Sequence, residues 1–351
     1  MKKTLLITKN ISVKEAMKRM GDVGEKVLFA VDSKNKLIGS LTDGDIRRWI
    51  LAGGNLSGGI SKIYNKNPIL VSENYSVEEV KKLMLRNKIE WIPVVNKNKE
   101  VVDVLLWDAT FGKRILSSRE KLSIPVVIMA GGKGTRLDPF TKILPKPLIP
   151  IGEKTILDII MDKFSQYGIK KFYITINHKS RMIKSYFEEM NTSYTICYIE
   201  EKQPMGTIGS LSFLRKEIKD SLFVTNCDVI INSDYTEVLE LHEKNKNDMT
   251  IVASMKHYTI PYGICKIENG GFLTAMHEKP EYDFLVNTGF YILRKKALNL
   301  IPDNQEFHIT DLVKKLKEKN KKIGVFPINE NSWIDVGQWE EYHRAVKNLG
   351  F

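Results

Sequence analysis

The chain has 351 residues, 42% hydrophobic and 27% charged, with a formal net charge of +12 at pH 7. That length allows two or three domains, and the composition is that of an ordinary soluble globular protein. No apolar run approaches the ~20 residues of a membrane helix, and the run behind Lys2 and Lys3 is too short for a secretory signal. The three scattered cysteines, Cys197, Cys227 and Cys265, fit a reducing cytoplasm better than a disulfide framework. A cytoplasmic protein is expected.

The first 120 residues carry +8 of the +12 charge. A basic surface attracts nucleic acid or phosphorylated small molecules. Here the lysines are interspersed with Glu and Asn, and no RRM, KH or helix-turn-helix signature accompanies them, so no nucleic-acid partner is expected. This part of the sequence repeats itself. VLFAVDSKNKLIGSLTDGD (27–45) is echoed by WIPVVNKNKEVVDVLLWDA (91–109), with Val31 matching Val95 at an offset of 64 residues. In each copy an apolar strand, a polar turn and a second strand predict a hairpin. An amphipathic helix is expected before each, over 12–21 and 76–87, with Ser12 and Ser76 as N-caps and Glu15 and Glu79 completing capping boxes. The repeats span about 1–60 and 61–118. The charged stretch SREKLSIPVV (118–127) then turns abruptly into an apolar strand, so the domain boundary is expected near Ser118–Ser123, giving domains 1–120 and 121–351.

From Ile124 onward the pattern alternates. Strands are expected at 124–130, 171–177, 194–199 and 222–228, and helices at 156–168, 180–190 and 206–218. Such alternation predicts a mostly parallel α/β sheet with helices on both faces and a ligand site beyond the carboxyl ends of its strands. One such end carries MAGGKGTRLDPFTKILPKPL (129–148). This is neither a P-loop nor the dinucleotide fingerprint. Gly131, Gly132 and Gly134 can nevertheless turn backbone N–H groups toward an anion. Arg136 adds a planar phosphate donor, and Lys146 stands between Pro145 and Pro147. The physics points to a phosphate site.

Two resemblances sharpen these expectations. Residues 1–118 resemble a tandem CBS module, on the strength of G-x-x-T-x-x-D at Gly39, Thr42 and Asp45. That implies an adenine nucleotide with Thr42 on phosphate and Asp45 on ribose. The second copy has Asp103, Leu106 and Ala109 at those places, so at most one nucleotide site is expected. The alternative is a module that only docks subunits or braces the second domain. Residues 121 to about 345 resemble the sugar-nucleotide pyrophosphorylases, whose G-G-x-G-T-R-L-x-P-x-T-x-x-x-P-K-P signature is matched at every fixed position. The resemblance implies a Rossmann-like, GT-A-like nucleotidyltransferase that joins an NTP and a sugar 1-phosphate, releasing pyrophosphate. It implies that Gly131, Gly132, Gly134 and Thr135 hold the triphosphate, with Arg136 and Lys146 as catalytic cations. Gly206 and Thr207 would hold the nucleobase, and Asp228 and Asp335 would carry Mg²⁺. Gly263, Glu278, Lys279, Asn287 and Thr288 would face the sugar phosphate, with FHITDL (307–312) nearby. Asn226 stands where that family often has glycine, which puts the local backbone in question.

A CBS pair ahead of such a transferase is similar to the glucosamine-1-phosphate guanylyltransferases of legionaminate biosynthesis. GTP and glucosamine 1-phosphate are therefore the first expectation. Mannose 1-phosphate with GTP, or glucose 1-phosphate with UTP, CTP or dTTP, are the alternatives. No left-handed β-helix repeat follows Asp335, so no acetyltransferase activity is expected. A homo-oligomer is expected. The competing reading from another class is a catalytically inactive nucleotide sensor.

Overall fold

The structure, a computed structural model of the chain, describes all residues except 1–2, 88, 108–109, 111–120, 191–193 and 349–351. Ala109 and the first half of the expected seam, residues 118–120, lie outside the described residues. The chain divides into two compact units, residues 1–118 and 119–351.

The first unit is built twice. In the first copy, β1 (Leu6–Thr8) pairs parallel with β2 (Val27–Val31), which pairs antiparallel with β3 (Leu37–Thr42). In the second, β4 (Val71–Ser72), β5 (Trp91–Val95) and β6 (Val101–Leu106) repeat that topology. The helices Val13–Val23 and Val77–Asn87 begin and end at the same 64-residue offset. The copies are joined at their hairpin turns by a reciprocal pair of hydrogen bonds. Leu37 N donates to Lys99 O at 2.9 Å, and Val101 N donates to Asn35 O at 3.1 Å. Shifting each residue by 64 into the other repeat, Leu37 to Val101 and Lys99 to Asn35, turns the first bond into the second, the mark of a local two-fold. Asn35 and Lys99 both take a left-handed φ, at 59° and 64°. One apolar core spans the repeats, with Leu28, Leu41 and Ile60 from the first segment packed beside Val95, Val101 and Val104.

The Ser12 box forms as expected. Its hydroxyl accepts from Glu15 N at 3.1 Å, and the Glu15 carboxylate accepts from Ser12 N at 2.7 Å. The helix runs past Gly21 and stops at Gly24, whose φ of 73° ends it with a left-handed cap.

The second unit is centred on a seven-stranded sheet. Its strands are β7 (Val126–Met129), β10 (Lys171–Ile176), β11 (Thr195–Glu200), β12 (Ser221–Asn226), β14 (Met249–Thr259), β17 (Glu281–Arg294) and β18 (Ile323–Ile328), in the spatial order β11-β10-β7-β12-β17-β14-β18. Only β17 is antiparallel to its neighbours. Short ribbons pair β8 (Pro150–Ile151) with β9 (Lys154–Thr155), β13 (Val229–Ile231) with β19 (Trp333–Asp335), and β15 (Ile264–Ile267) with β16 (Leu273–His277). Both sheet faces are buried, so the strands read as continuous apolar runs. Val126, Ile128, Phe223 and Phe290 pack on one face, against the helix Ile156–Ser165 through Phe164. Val127, Val224, Tyr291 and Met249 pack on the other.

Strand order reverses at β7, which has the earlier β10 side on one flank and β12 on the other. A doubly wound sheet opens its ligand crevice at such a point. The glycine loop leaves β7 there, and Asp228 follows β12 there.

One expected element is different. The stretch 206–218 contains only a 3-10 helix, Gly209–Leu214, instead of an α-helix. Gly206 and Gly209 have low helix propensity, and Ser212 Oγ donates back to Gly209 O at 2.8 Å, which tightens the turn.

Ser12→Ala removes one half of a complete capping box on an exposed helix end. It is expected to cost about 1 kcal/mol of first-unit stability, read as a lower urea midpoint, with Ser12→Asp retaining most of the stability.

Candidate active site

Two adjoining cavities lie at the switch point. One, of about 290 Å³, is lined by Gly131, Gly132, Gly134, Thr135, Lys146 and Gly206, among others. The second, of about 270 Å³, is lined by Asn287, Thr288, Tyr291, Trp333 and Asp335, among others. Met129, Arg136, Thr207, Asn226 and Asp228 line both. The arrangement is a two-chambered site with cations and carboxylates at the junction.

The glycine loop is shaped by close approach. Gly134 has φ 70°, and a Cβ there would stand 2.9 Å from Lys146 Cβ. Gly206 has φ 71°, and a Cβ there would meet Phe307 O at 2.7 Å. Both positions therefore need glycine. Thr207 Oγ1 accepts from Ile309 N at 2.9 Å, and Ile208 N donates to Phe307 O at 3.1 Å. The 307–312 segment thus braces the turn at 205–208, and Ile309 lines the second cavity.

At the junction, Lys146 Nζ donates to Asp228 Oδ2, and both residues are buried. Asp335 is brought opposite by the antiparallel β13–β19 ribbon, which pairs Val229 with Asp335. Val336 N donates to Asp228 O at 2.9 Å, and Gly337 N to Asp335 Oδ1 at 2.8 Å. How closely the charges converge can be read from Gly337. A Cβ there would lie 2.7 Å from Asp335 Oδ1, 2.8 Å from Asp228 Oδ2 and 3.1 Å from Lys146 Nζ. Burial, and then the negative charge of Asp228, push the Asp335 carboxyl above its usual range, against the pull of Gly337 N–H, Lys146 and Arg136.

Among the described residues no group of three or more His, Cys, Asp or Glu gathers to hold a metal. Two carboxylates are nevertheless a fitting donor set for a hard cation such as Mg²⁺, which is commonly held by one or two carboxylates together with substrate phosphates and water.

Not every expected residue comes to the cavities. Gly263, Glu278 and Lys279 line neither; they sit on the arm formed by the ends of β14 and β17 and by the β15–β16 hairpin. There Gly263 lies against Glu278, whose Oε2 would be 2.9 Å from a Cβ on the glycine. Asn287 and Thr288 do line the second cavity, but their side chains are partly engaged within the sheet. Asn287 Nδ2 donates to Tyr291 OH at 2.8 Å, and Thr288 Oγ1 to Val252 O at 2.7 Å.

Asn226 is accommodated by Gly289, next to it on β17. Gly289 has φ 87°, and a Cβ there would fall 2.5 Å from Asn226 Nδ2. The sequence reading missed Glu201 altogether. It lines the first cavity and lies 2.9 Å from where a Cβ on Gly131 would be. Burial raises its pKa despite hydrogen bonds from Ser210 and the Met205 backbone. The only local hint was its place just ahead of the QPMGT turn.

In the first unit Thr42 and Asp45 face each other. Thr42 Oγ1 accepts from Asp45 N at 3.2 Å and donates to Asp45 Oδ2 at 2.7 Å, a capping box on the helix Asp43–Leu51.

Comparison with known proteins accords with this geometry. The profile of the nucleotidyl transferase family matches residues 125–350, and that of the CBS domain matches residues 1–52 and 60–107. The chain belongs to the nucleotidyl transferase family. Its family unit follows a tandem CBS module. Among relatives of this nucleotidyl transferase is the D-glycero-alpha-D-manno-heptose 1-phosphate guanylyltransferase of Campylobacter jejuni, 28% identical over 63% of this chain and 98% of that protein. Another is the UTP–glucose-1-phosphate uridylyltransferase of Synechocystis, 27% identical over 64% of this chain. The chain spans only 62% of the length of that enzyme. The crystal structure of HddC from Yersinia pseudotuberculosis superposes with a TM-score of 0.51 at 26% identity, covering 64% of this chain and 99% of that one, and HddC has also been solved complexed with GMP-PN. Among the described residues no helix is long and apolar enough to cross a membrane.

Ionised Asp335, partly buried beside the negative Asp228, destabilises the fold. Because its folded pKa is raised, that cost is absent below the ordinary carboxylate range and sets in as pH rises through the folded pKa. Asp335→Asn is therefore expected to melt at a higher temperature than the wild type at pH 7, with the difference shrinking on acidification, as followed by circular dichroism.

Proposed function

We propose that the second unit transfers a nucleotidyl group from an NTP to a sugar 1-phosphate, releasing pyrophosphate. The observation that carries this is the junction itself: Lys146, Arg136, Asp228 and Asp335 stand where a glycine-loop chamber meets a second polar chamber. The chamber of Gly131, Gly132, Gly134 and Thr135 takes the triphosphate, and the chamber of Asn287 and Thr288 takes the sugar phosphate. A sugar phosphate is already anionic at neutral pH, so its oxygen attacks the α-phosphorus without a general base. Positioning and charge neutralisation supply the catalysis. Lys146 neutralises charge at the α-phosphate, and Arg136 holds the departing pyrophosphate. Lys279, on the arm, steers the sugar phosphate when the arm carries it to the site. Mg²⁺, held by Asp228 and Asp335, supplies Lewis-acid stabilisation of the phosphate charge.

GTP is the preferred base donor, and Glu201 supports that choice. Guanine presents adjacent N1–H and N2–H₂ donors, which a carboxylate can accept together. Uracil and thymine present one N–H between two carbonyl oxygens, which a carboxylate repels. Glucosamine 1-phosphate remains the first sugar to test, ahead of mannose, heptose and glucose 1-phosphates. In the first unit an adenine nucleotide would use Asp45 Oδ1, whose partner Arg48 is largely exposed. The other oxygen is committed to the helix cap.

Pyrophosphate release, measured with each NTP crossed against these sugar phosphates and with adenine nucleotides added, tests the reading. Lys146→Ala is expected to lose ~10²–10³ in turnover in protein shown by circular dichroism to be folded. Near-normal turnover would refute the assignment, and silence of the wild type across the grid would leave a nucleotide sensor. Glu201→Gln is expected to lower kcat/KM for GTP by about 10- to 100-fold, the worth of a hydrogen bond to a charged group, while UTP is affected less. Equal losses with both would remove Glu201 from base selection.

A further inference from the structure

The second unit gathers another set of cations at the edge of its sheet opposite the glycine loop. There Ser221, which opens β12, pairs with Arg294, which closes β17, and Met249 opens β14 beside them. The turns at this edge meet around a cavity of about 560 Å³. Lys219 comes from the turn before β12, and Lys246 from the turn after the helix Tyr235–Lys244. Arg294, Lys295 and Lys296 come from the end of β17 and the start of the helix Lys295–Leu298. β12 spans six residues, and at ~3.3 Å per residue the cavity lies roughly 20 Å from Asp228.

Three acids, Asp220, Glu243 and Asp248, also line the cavity, but each is engaged. Arg294 Nη2 donates to Glu243 Oε2 at 2.8 Å, and Arg294 Nη1 lies 3.7 Å from Asp220 Oδ1. Asp248 Oδ2 accepts from Lys322 N at 3.1 Å. Arg294 also ties the turns together, donating from Nε to Asn247 O at 2.8 Å and from its backbone N to Asp248 O at 3.0 Å. Among the described residues the ammonium groups of Lys219, Lys246, Lys295 and Lys296 have no hydrogen-bond or ion-pair partner. Elsewhere lysines take the acids near them, as Lys154 does Asp162 and Lys256 does Glu330. Here one arginine holds the acids, and five cations face three acids, a net +2. Lys219, Asp220 and Glu243 also line an adjoining groove of about 730 Å³. Its other walls are largely apolar, with Leu122, Ile124 and Pro125 on one side and Ile169, Tyr173 and Leu239 among the rest.

We propose that this edge binds a dianionic organic phosphate, with its phosphate among Lys219, Lys246, Lys295 and Lys296 and its apolar body in the groove beside Leu122 and Ile124. A phosphate monoester carries a charge of about −1.5 to −2 near neutral pH, which answers the net +2 of the lining. Its oxygens only accept hydrogen bonds, and ammonium groups only donate them. Four like charges gathered in one depression repel one another, and a bound dianion relieves that repulsion. Nucleic acid fits less well, because the cations are confined to one concavity with three acids instead of spread along a track. The site shares no residue with the junction of Lys146, Asp228 and Asp335, so it does not depend on the activity proposed above.

The test uses the full chain, dialysed free of phosphate, with phenyl phosphate as the probe at constant ionic strength. Lysine acylation read by mass spectrometry follows each ammonium separately, so binding at the glycine loop does not enter the result. Lys219, Lys246, Lys295 and Lys296 are expected to lose reactivity together along one saturating curve, while exposed Lys266, on the arm, keeps its own. Inorganic phosphate, which has no apolar body, is expected to protect the same lysines only at concentrations at least about tenfold higher. In the double variant Lys219→Gln/Lys295→Gln, half-protection of Lys246 and Lys296 is expected to need at least about tenfold more phenyl phosphate, the loss of hydrogen bonds to a charged group. Protection that never saturates, that extends equally to Lys266, or that chloride reproduces overturns the proposal. So does equal protection by inorganic and phenyl phosphate, or indifference to the double substitution. Four lysines already unreactive in the dialysed protein overturn it as well, since the edge is then covered.

Discussion

The site depends on keeping a buried carboxylate, Asp228, next to a partly buried one, Asp335. Unpaired, a buried charge costs several kcal/mol, and a partly buried one less. Lys146 answers one of them through its bond to Asp228. Asp335 is left with a backbone N–H from Gly337 and a raised pKa. The residual demand is for positive charge at Asp335. The fold sustains that demand because the β13–β19 ribbon is part of the backbone hydrogen-bond network. Moving Asp335 away from Asp228 means breaking strand pairing and the Val336–Asp228 bond. A strained electrostatic arrangement is thus held by ordinary sheet energetics.

The same logic governs the loops. A glycine loop is useful to an anion only if its amides stay in place, and nothing about glycine alone ensures that. Here the restraint comes from the end of the chain. Trp339 Nε1 donates to Asp138 O at 2.9 Å, and Tyr342 OH donates to Pro150 O at 2.7 Å. Phe140 packs on Trp339 with ring centroids 4.8 Å apart. The helix Trp339–Asn348 therefore secures the loop whose Lys146 reaches Asp228, while β19, just before it, delivers Asp335. One C-terminal segment positions both sides of the junction. The opposite wall, Gly206 and Thr207, is braced in parallel fashion by Phe307 and Ile309.

What was legible in the sequence was what is decided locally. Glycines and prolines at fixed spacing announced the loop, Ser12 and Glu15 announced a cap, and the 64-residue offset announced the doubled first unit. Apolar periodicity misread 206–218 as an α-helix, because it takes no account of two glycines and a serine that bonds back to the main chain. The fit of Asn226 against Gly289 lay beyond local reading. These residues are adjacent only because β12 pairs with β17, and the replacement of glycine at one is balanced by glycine at the other. Glu201 was hidden for a related reason. In the sequence it is one acid in a charged run, and only the fold turns it toward Gly131 while Glu200 stays exposed. The arm residues Glu278 and Lys279 show the converse, since a motif can be legible while its place relative to the cavities is not.

The first unit shows how a motif can serve two purposes with one side chain. Asp45 divides its oxygens. Oδ2 accepts both from Thr42 N at 2.8 Å and from Thr42 Oγ1 at 2.7 Å, which completes the helix cap. Oδ1 meets Arg48, whose side chain is 73% exposed. Exposed ion pairs contribute little, with a median of about 0–1 kcal/mol, whereas a helix cap is worth about 1 kcal/mol or more. The carboxylate therefore has one structural oxygen and one that can change partners at small cost. Gly39 belongs to the same arrangement. A Cβ there would fall 2.2 Å from the ring of Tyr64, and the neighbouring Ser40 exchanges backbone hydrogen bonds with Asn65 at 2.8 and 2.9 Å. The glycine of the motif is needed so that the start of the second repeat can lie against β3. Gly39, Thr42 and the inner oxygen of Asp45 are thus explained by packing and capping, which leaves the outer oxygen of Asp45 as the one part of the motif that the fold itself does not consume.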